Sequence, residues 1–320
     1  TDVIDAEWLA DLLRHGLLKP SFIPPLHIRE LRELTRYRES LVREQTALAN
    51  RIQKLIESGN IKLGQVVSDA LGVSGKQMLR ALAAGETDVE RMSELARRRM
   101  KRKKPELKRA LAGRLTQAQR WVLTELLDQY EVVEAAIKRV AEKIGAEVEQ
   151  AADPFVSEAV TLLDTIPGVG ETVAQTIVAE IGVEMERFAT DGHLASWAGM
   201  CPGNNESAGK RKSGKTSKGN RYLRAALVQA AWAASHQKGT YLSAQYQRLV
   251  KRMGKKKALV AVGHSILVIV YHVLANKAGY EELGGDYFDR RHADKQRQRL
   301  VHQLEALGLK VTVEELAQAA

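Results

Sequence analysis

The feature that most constrains this chain is a leucine at every seventh position across a stretch rich in Arg and Glu. The repeat consists of Leu34, Leu41, Leu48 and Leu55, with Leu31 and Ile52 beside it. A seven-residue apolar repeat keeps one stripe of a helix facing the same partner over many turns. The repeat therefore predicts a long coiled-coil helix.

A second apolar seam, in steps of three and four, follows later in the chain. Its members are Leu123, Leu126, Tyr130, Val133, Ile137, Val140 and Ile144. Between the seams lies a smaller, basic helical region at about residues 63–105. The two long helices can fold back as an antiparallel hairpin or pair with another copy, and the pattern fits both. The charged residues opposite the seams favour either pairing over a free arm.

Composition and charge set the class of protein and of partner. The 320 residues are 44% apolar and 28% charged, enough for two domains with buried cores, and the helical periodicities predict a mainly α fold. The net charge is +10, with basic clusters at Arg97–Lys104, Lys210–Arg224 and Lys251–Lys257. Clustered Lys and Arg displace the counterions of polyanions, so nucleic acid is the favoured partner and a membrane surface the weaker alternative.

Cysteine content and hydropathy exclude two further classes. Cys201 is the only cysteine, so the chain has neither a disulfide framework nor a Cys-based zinc site, and a reducing, cytoplasmic setting fits best. The apolar run 258–275 is short and interrupted by His264, Ser265 and His272. This pattern predicts a buried core helix rather than a membrane span.

The segment 162–182, LLDTIPGVGETVAQTIVAEIG, has the pattern of a helix-hairpin-helix. Glycines permit positive φ in the turn, and the second helix can present backbone N–H groups to a phosphate. A tight turn within a helical core explains the same pattern without a ligand. The candidate nucleic-acid contacts of this segment are Pro167, Gly168, Val169, Gly170 and Thr172.

The most polar stretch is 199–224, GMCPGNNESAGKRKSGKTSKGNRYLR, which has no acid after Glu206. Its cations would neutralise phosphates and the charge that builds during phosphoryl transfer. These candidates are Lys210, Arg211, Lys212, Lys215, Lys218, Arg221 and Arg224. Ser207, Ser213 or Ser217 could attack phosphorus. On composition alone, however, a phosphate-binding loop without a nucleophile is favoured.

Asp2 and Asp5 lie at positions i and i+3 of the first predicted helix, residues 1–18. Two carboxylates on one helix face repel each other unless a cation neutralises them, and Mg²⁺ accepts carboxylate oxygens. On the residues alone, interaction with the helix N-terminus explains them better, with Thr1 or Asp2 as the N-cap. The chain starts at Thr1 without a methionine, which suggests that an upstream portion is missing.

Taken together, several segments resemble the transposases of the IS110/IS116/IS902 family. They are TDVIDAEWLADLL, RELRELTRYRESLVRE, IPGVGETVAQTIVAEIG, ASWAGMCPGNNESAGKRKSGKTSKGNRYLRAAL and YEELGGDYFDRR. The resemblance implies an RNase H/RuvC-like domain with a DEDD set of Mg²⁺-binding acids, a coiled coil and a serine-bearing C-terminal domain. It also implies DNA as substrate, a structured guide RNA, a homo-oligomer and a bacterial, nucleoid-associated protein.

The resemblance carries over to particular residues. TDVIDA matches the last two acids of the tetrad, which makes Asp2 and Asp5 metal ligands, and SAGK matches the family's SGGK-like motif. Ser207 is then the nucleophile and Lys210 its phosphate neighbour, with Ala208 in place of the commoner glycine. The first Asp and the Glu of the tetrad would lie upstream of Thr1. This polypeptide is therefore expected to bind nucleic acid without completing recombination.

The expected organisation has four parts: a remnant of the RuvC-like domain with only its last helix (1–24), the coiled-coil region (25–150), the transposase domain (151–292) and a tail (293–320). The rival hypothesis is a non-catalytic module in which the hairpin and the basic loop hold nucleic acid while the coiled coil oligomerises. A helix-hairpin-helix glycosylase is disfavoured, because residues 183–199 offer no convincing catalytic Lys or Asp after the hairpin.

Overall fold

The computed structural model of the chain describes residues 2–18, 23–203, 205–291, 293–308 and 310–312. The described residues are mainly α-helical, with one two-stranded antiparallel sheet, so the predicted fold class is confirmed. The chain forms two compact units. One consists of Glu33–Gln150, and the other combines Thr1–Arg32 with Ala151–Ala320.

Two 33-residue helices dominate the unit Glu33–Gln150, with shorter helices between them. In chain order after α1 (Asp2–Arg14), the helices are α2 (Leu26–Ser58), α3 (Leu63–Val66), α4 (Val73–Ala83), α5 (Val89–Glu94), a 3₁₀ helix (Arg98–Lys103), α6 (Lys104–Ala110) and α7 (Gln117–Glu149). Thr116 caps α7 in a capping box with Gln119, which fixes where the second long helix begins.

The two long helices run antiparallel within one chain. Ile52 near the end of α2 shares a core with Leu123 near the start of α7, whereas Leu41 and Leu48 pack with Val133 further along. Gln119 Nε2 also donates a hydrogen bond to Ser58 Oγ at 3.1 Å. Of the two pairings that the seams allowed, the structure therefore has the intramolecular hairpin.

The short helices between α2 and α7 pack at the end of this hairpin where α2 ends and α7 begins. Met78 and Leu79 of α4 are fully buried, as is Leu107 of α6. Ion pairs hold α4 against α7: Lys76 Nζ lies 2.6 Å from Glu134 Oε2, and Arg80 lies within 3 Å of carboxylates of α7. The basic region thus belongs to a packed core.

The second unit is built around one apolar helix. Its elements after residue 150 are α8 (Phe155–Asp164), α9 (Glu171–Ile181), a 3₁₀ helix (Met185–Arg187), α10 (Asp191–Trp197), β1 (Asn205–Ser207), β2 (Lys210–Ser213), α11 (Arg221–Ser235), α12 (Tyr241–Met253), α13 (Lys255–Asn276), α14 (Tyr287–Arg291) and α15 (Ala293–Ala306). Helices α8, α10, α11 and α12 all pack against α13.

Helix α13 is, among the described residues, the one long and apolar enough to cross a membrane. Val262, Ile266, Leu267 and Val270 are nevertheless fully buried within the unit, against its neighbouring helices. The expectation of a buried core helix is therefore met.

Helix α1 is shorter than predicted, and all of its residues are at least partly exposed. It spans Asp2–Arg14 rather than 1–18, and none of its residues is buried. Trp8 and Leu13 are each more than 60% exposed. The apolar stripe of this helix therefore has no intramolecular cover in the described part of the chain.

Candidate functional site

Helices α8 and α9 pack against each other and are joined by a tight turn at residues 165–170. Ile166 and Val169 point into the core, and Val169 N–H donates to the carbonyl of Ile166 at 2.9 Å. Gly170 is exposed and directly precedes the first turn of α9. The arrangement exposes the positive end of the α9 dipole at the turn.

Gly168 docks this turn onto α11. Its φ is +86°, and a Cβ built on it would lie 2.3 Å from the carbonyl oxygen of Ala230 and 2.6 Å from the amide nitrogen of Ala234. Glycine is required here for two separate reasons, the left-handed backbone and the close approach of two main chains. Gly170, by contrast, would meet nothing within 4 Å.

Side chains around the turn are acidic or neutral. Asp164 lies at its entrance and Glu171 at its exit, both exposed, and Thr172 follows on the exposed start of α9. A shallow cavity of about 270 Å³ lies here between Gly170 on one side and Gln229 on the other. An anion at this turn would therefore contact backbone amides rather than cationic side chains.

The predicted loop 199–224 contains a small β arm, which the composition did not reveal. Strands β1 and β2 pair antiparallel, with Ser207 opposite Lys210. The connecting residues Ala208 and Gly209 have φ values of +51° and +72°. Two positive φ values in succession are typical of a type I′ hairpin turn. At Ala208 this conformation costs about 1–2 kcal/mol, which glycine would avoid.

Two glycines close the base of the arm. Gly199 and Gly219 approach so closely that a Cβ on Gly219 would lie 2.4 Å from backbone atoms of Ala198 and Gly199. A bridge between Pro202 and Thr216 follows further along. The arm, residues 199–219, thus leaves and re-enters the helical body at one point.

The three candidate serines occupy different environments in the arm. Ser207 is exposed at the tip, and its pairing with Lys210 places both side chains on one face of the hairpin. Ser213 is half-buried, and its Oγ accepts the amide N–H of Lys215 at 3.1 Å. Ser217 is exposed near the base. Among the described residues, no side chain forms a hydrogen bond with the Ser207 hydroxyl.

The predicted cations are distributed along the arm and the helix that follows it. Lys210, Lys215 and Lys218 are exposed on the arm, while Arg221 and the half-buried Arg224 lie in the first turn of α11. No acid balances them in that turn. Cations at a helix N-terminus oppose the dipole, so positive potential is concentrated there. The side chains of Arg211 and Lys212 lie outside the described residues.

Helix α11 fixes the distance between the turn and the arm. Arg221 begins the helix, and Ala230, which touches the turn, follows nine residues later. At 1.5 Å per residue, the two features are about 14 Å apart along the helix. The two parts of the interface predicted from the sequence, the turn and the arm, are therefore both positioned by α11.

A buried carboxylate near the arm was not anticipated. The Glu180 side chain is fully buried, accepts a hydrogen bond from Asn220 Nδ2 at 2.5 Å and lies 3.7 Å from Arg32 Nε. Arg32 also donates to the carbonyls of Ala179 and Glu180, both at 2.9 Å. The Asn220 side chain in turn caps α11. Two sequence signals could have indicated this contact: a single acid in the apolar run IVAEIG, and an Asn directly before a helix.

Asp2 and Asp5 lie in the first turn of α1, and both are exposed. Neither carboxylate forms an ion pair or a hydrogen bond within the part of the chain that the structure describes. Carboxylate oxygens are ligands that Mg²⁺ accepts, so the residue types suit a metal. No group of three or more potential metal ligands occurs among the described residues. Helix α1 begins at Asp2, so a favourable interaction with its N-terminus also accounts for both acids.

Two models of transposase families match separate segments of the chain. A model described as the transposase IS116/IS110/IS902 family matches residues 160–247, which include the turn, the arm and α11. A second transposase model, of the DEDD IS110 type, matches residues 1–60, which include Asp2 and Asp5. No curated protein matches the chain. Two segments of this chain, residues 1–60 and 160–247, therefore match transposases of the IS110/IS116/IS902 family.

Proposed function

We propose that this transposase cuts and rejoins DNA through a transient phosphoserine at Ser207. The observation that carries the proposal is the position of Ser207 at the exposed tip of the arm, directly opposite Lys210. The cation would lie beside the phosphate that the hydroxyl attacks. Ser213 is less suited, because its hydroxyl oxygen already accepts the Lys215 amide.

The reaction conserves phosphoester bonds. As the bond from Ser207 Oγ to phosphorus forms, the P–O bond to one DNA strand breaks. The serine proton is released, and the departing strand oxygen takes up a proton. A strand hydroxyl later loses its proton and bonds to phosphorus, while the bond from phosphorus to Ser207 Oγ breaks and the serine oxygen takes up a proton. Covalent storage of the phosphate allows strands to be exchanged without loss of bond energy.

The cations of the arm and of α11 would hold the DNA backbone around the reacting phosphate. Lys215, Lys218, Arg221 and Arg224 can neutralise neighbouring phosphates. The turn at Gly168 and Gly170 would add a backbone contact about 14 Å away along α11. In this proposal the α8–α9 pair acts as a helix-hairpin-helix.

The DEDD transposases generally use a divalent metal, and we propose that here it is Mg²⁺. Asp2 and Asp5 would provide two carboxylate ligands. When bound, the ion would activate an attacking or leaving oxygen. Since no described side chain accepts the Ser207 proton, a composite site between subunits is part of the proposal. Oligomerisation through the long helices, a structured guide RNA and action at the bacterial nucleoid complete it.

A second candidate function is a non-catalytic nucleic-acid-binding module. The observation that favours it is the absence, among the described residues, of a base in contact with the Ser207 hydroxyl. An activated serine normally has such a partner within hydrogen-bond distance. In this case the arm grips phosphates, and Ser207 is one more polar group on it.

Replacement of Ser207 distinguishes the two functions. In the protein as its gene encodes it, Ser207→Ala should reduce the covalent protein–DNA adduct by at least about 10³-fold, because the attacking atom is gone. DNA affinity should stay within about twofold, because one exposed hydroxyl is lost. Denaturing gels measure the adduct on element-end DNA with Mg²⁺, and mobility shifts measure the binding.

Ser217→Ala is the matched control, because Ser217 is also exposed on the arm. It should leave adduct formation unchanged. An adduct that survives in Ser207→Ala would contradict the proposal. Salt-sensitive binding with no adduct in the unmodified protein would support the non-catalytic module.

A further inference from the structure

The strongest unassigned feature outside the transposase site is a basic cleft in the unit Glu33–Gln150. It has a volume of about 530 Å³, within the range of natural ligand pockets. Two segments form its walls, residues 67–74 before and at the start of α4, and residues 97–103 around the 3₁₀ helix. It lies in the part of the chain that neither family model covers.

The charges that line the cleft are strongly one-sided. Four cations face one carboxylate: Arg97, Arg98, Arg99 and Lys103 against Asp69. The Asp69 carboxylate accepts the amide N–H of Leu71 at 2.9 Å, so part of its capacity is used locally. In the described part of the chain, no carboxylate lies within ion-pair distance of the three arginines. The cleft therefore presents uncompensated positive charge.

Two cations that follow the cleft in sequence, Lys104 and Lys108, are paired with carboxylates. Lys104 forms hydrogen bonds to both oxygens of Glu94 and lowers the pKa of that carboxyl. Lys108 pairs with Glu90. Among the described residues, Lys104 and Lys108 therefore have carboxylate partners that the three arginines of the cleft lack.

The backbone holds the arginine segment in place. Arg97 N–H donates to the buried hydroxyl of Ser74 at 3.0 Å, which joins the two walls. Arg98 has a φ of +50°, a conformation that residues other than glycine rarely adopt. On the same wall, Lys103 Nζ donates to the carbonyl of Val66 at 2.7 Å. The arginines are thus presented from a fixed segment.

We infer that this cleft binds the phosphodiester backbone of a nucleic acid, as a second contact apart from the transposase site. Exposed arginines on a fixed segment suit bidentate recognition of phosphate oxygens. Recognition would be independent of base sequence, because the lining cations suit phosphate oxygens rather than base edges. The inference goes beyond the proposed function and does not require Ser207 to be a nucleophile.

The test uses the full chain carrying Lys215→Gln and Lys218→Gln, which weakens the arm and isolates the cleft. In this background, Arg98→Gln with Arg99→Gln should weaken binding about tenfold at 100 mM salt. The slope of log affinity against log salt should become shallower by about 2, close to one unit per lost phosphate contact. Fluorescence anisotropy with a 30-base-pair DNA and a stem-loop RNA measures both.

Two matched variants make the test specific. Lys101→Gln with Arg102→Gln removes the same charge from the same 3₁₀ helix, but neither residue lines the cleft. This control should change affinity less than about twofold. Asp69→Asn keeps an acceptor for the Leu71 amide while removing the opposing charge, so binding should tighten about threefold.

Equal losses in the Arg98/Arg99 and Lys101/Arg102 variants would overturn the inference, since they would indicate diffuse attraction without a site. An unchanged affinity in Arg98→Gln with Arg99→Gln would do the same. Circular dichroism melts establish that each variant is folded. The probe whose affinity falls identifies the source of the phosphate as DNA or RNA. Adduct formation is measured separately, so a result against phosphate binding in the cleft can be distinguished from a result against Ser207 as the nucleophile.

Discussion

Gly168→Ala is expected to lower the free energy of unfolding by about 4 kcal/mol. A left-handed alanine costs about 1–2 kcal/mol, and forced overpacking adds about 1–3 kcal/mol. The added methyl would meet main-chain atoms of Ala230 and Ala234, which cannot rotate away as a side chain would. Urea unfolding monitored by circular dichroism measures the change.

Gly170→Ala provides the control two residues away. Gly170 has a φ of −93°, and a Cβ there would meet nothing within 4 Å. Its stability should therefore change by no more than about 0.5 kcal/mol. If Gly168→Ala proved as stable as Gly170→Ala, the described docking of the turn on α11 would be wrong.

The second large effect is expected from Arg32→Met, at about 3 kcal/mol of lost stability. Methionine keeps an apolar stem of similar length, so the change removes the guanidinium with little loss of packing. The buried Glu180 carboxylate would then lose the Arg32 guanidinium, and breaking one side of a buried pair costs about 3–5 kcal/mol. The value sits at the lower end, since Asn220 still donates to Glu180.

A double-mutant cycle tests the cause of that loss. Glu180→Gln removes the buried charge and keeps a carbonyl oxygen for Asn220. In this background Arg32→Met should cost at least about 1 kcal/mol less than in the unmodified chain. Arg29→Met, at an exposed arginine one turn earlier in α2, should have almost no effect. Additive losses across the cycle would show that Arg32 stabilises the fold without acting through the Glu180 charge.

The sequence was most informative where one periodic signal dominated. The leucine repeat predicted a long helix, and α2 is 33 residues long. It could not choose between pairing within one chain and pairing with a copy, because Leu41 and Leu48 face the same kind of apolar stripe in both. That choice depends on how α4 and α6 pack between the end of α2 and the start of α7. Residues such as Met78 make these contacts, which no local sequence pattern encodes.

The site was less predictable than the fold. Composition marked the arm as basic, but the turn between Ser207 and Lys210 uses Ala-Gly instead of the usual Asn-Gly signal, so the strands were missed. The contact of Glu180 with Arg32 joins residues almost 150 positions apart. Only the three-dimensional packing brings these charges together. The roles of Ser207, Asp2 and Asp5 remain predictions.

The close contact of two glycines at the base of the arm determines where the sequence of this chain can vary. Since Gly199 and Gly219 meet, the chain between the buried Met200 and Gly219 can vary in length or charge at small entropic cost and without displacing the flanking helices α10 and α11. The proposed nucleophile, Ser207, therefore lies on a segment that tolerates replacement, whereas the buried core that stabilises the fold lies in the helices. A transplanted arm should bring its own affinity for phosphates to this helical body, provided that both glycines and the buried Met200 are kept.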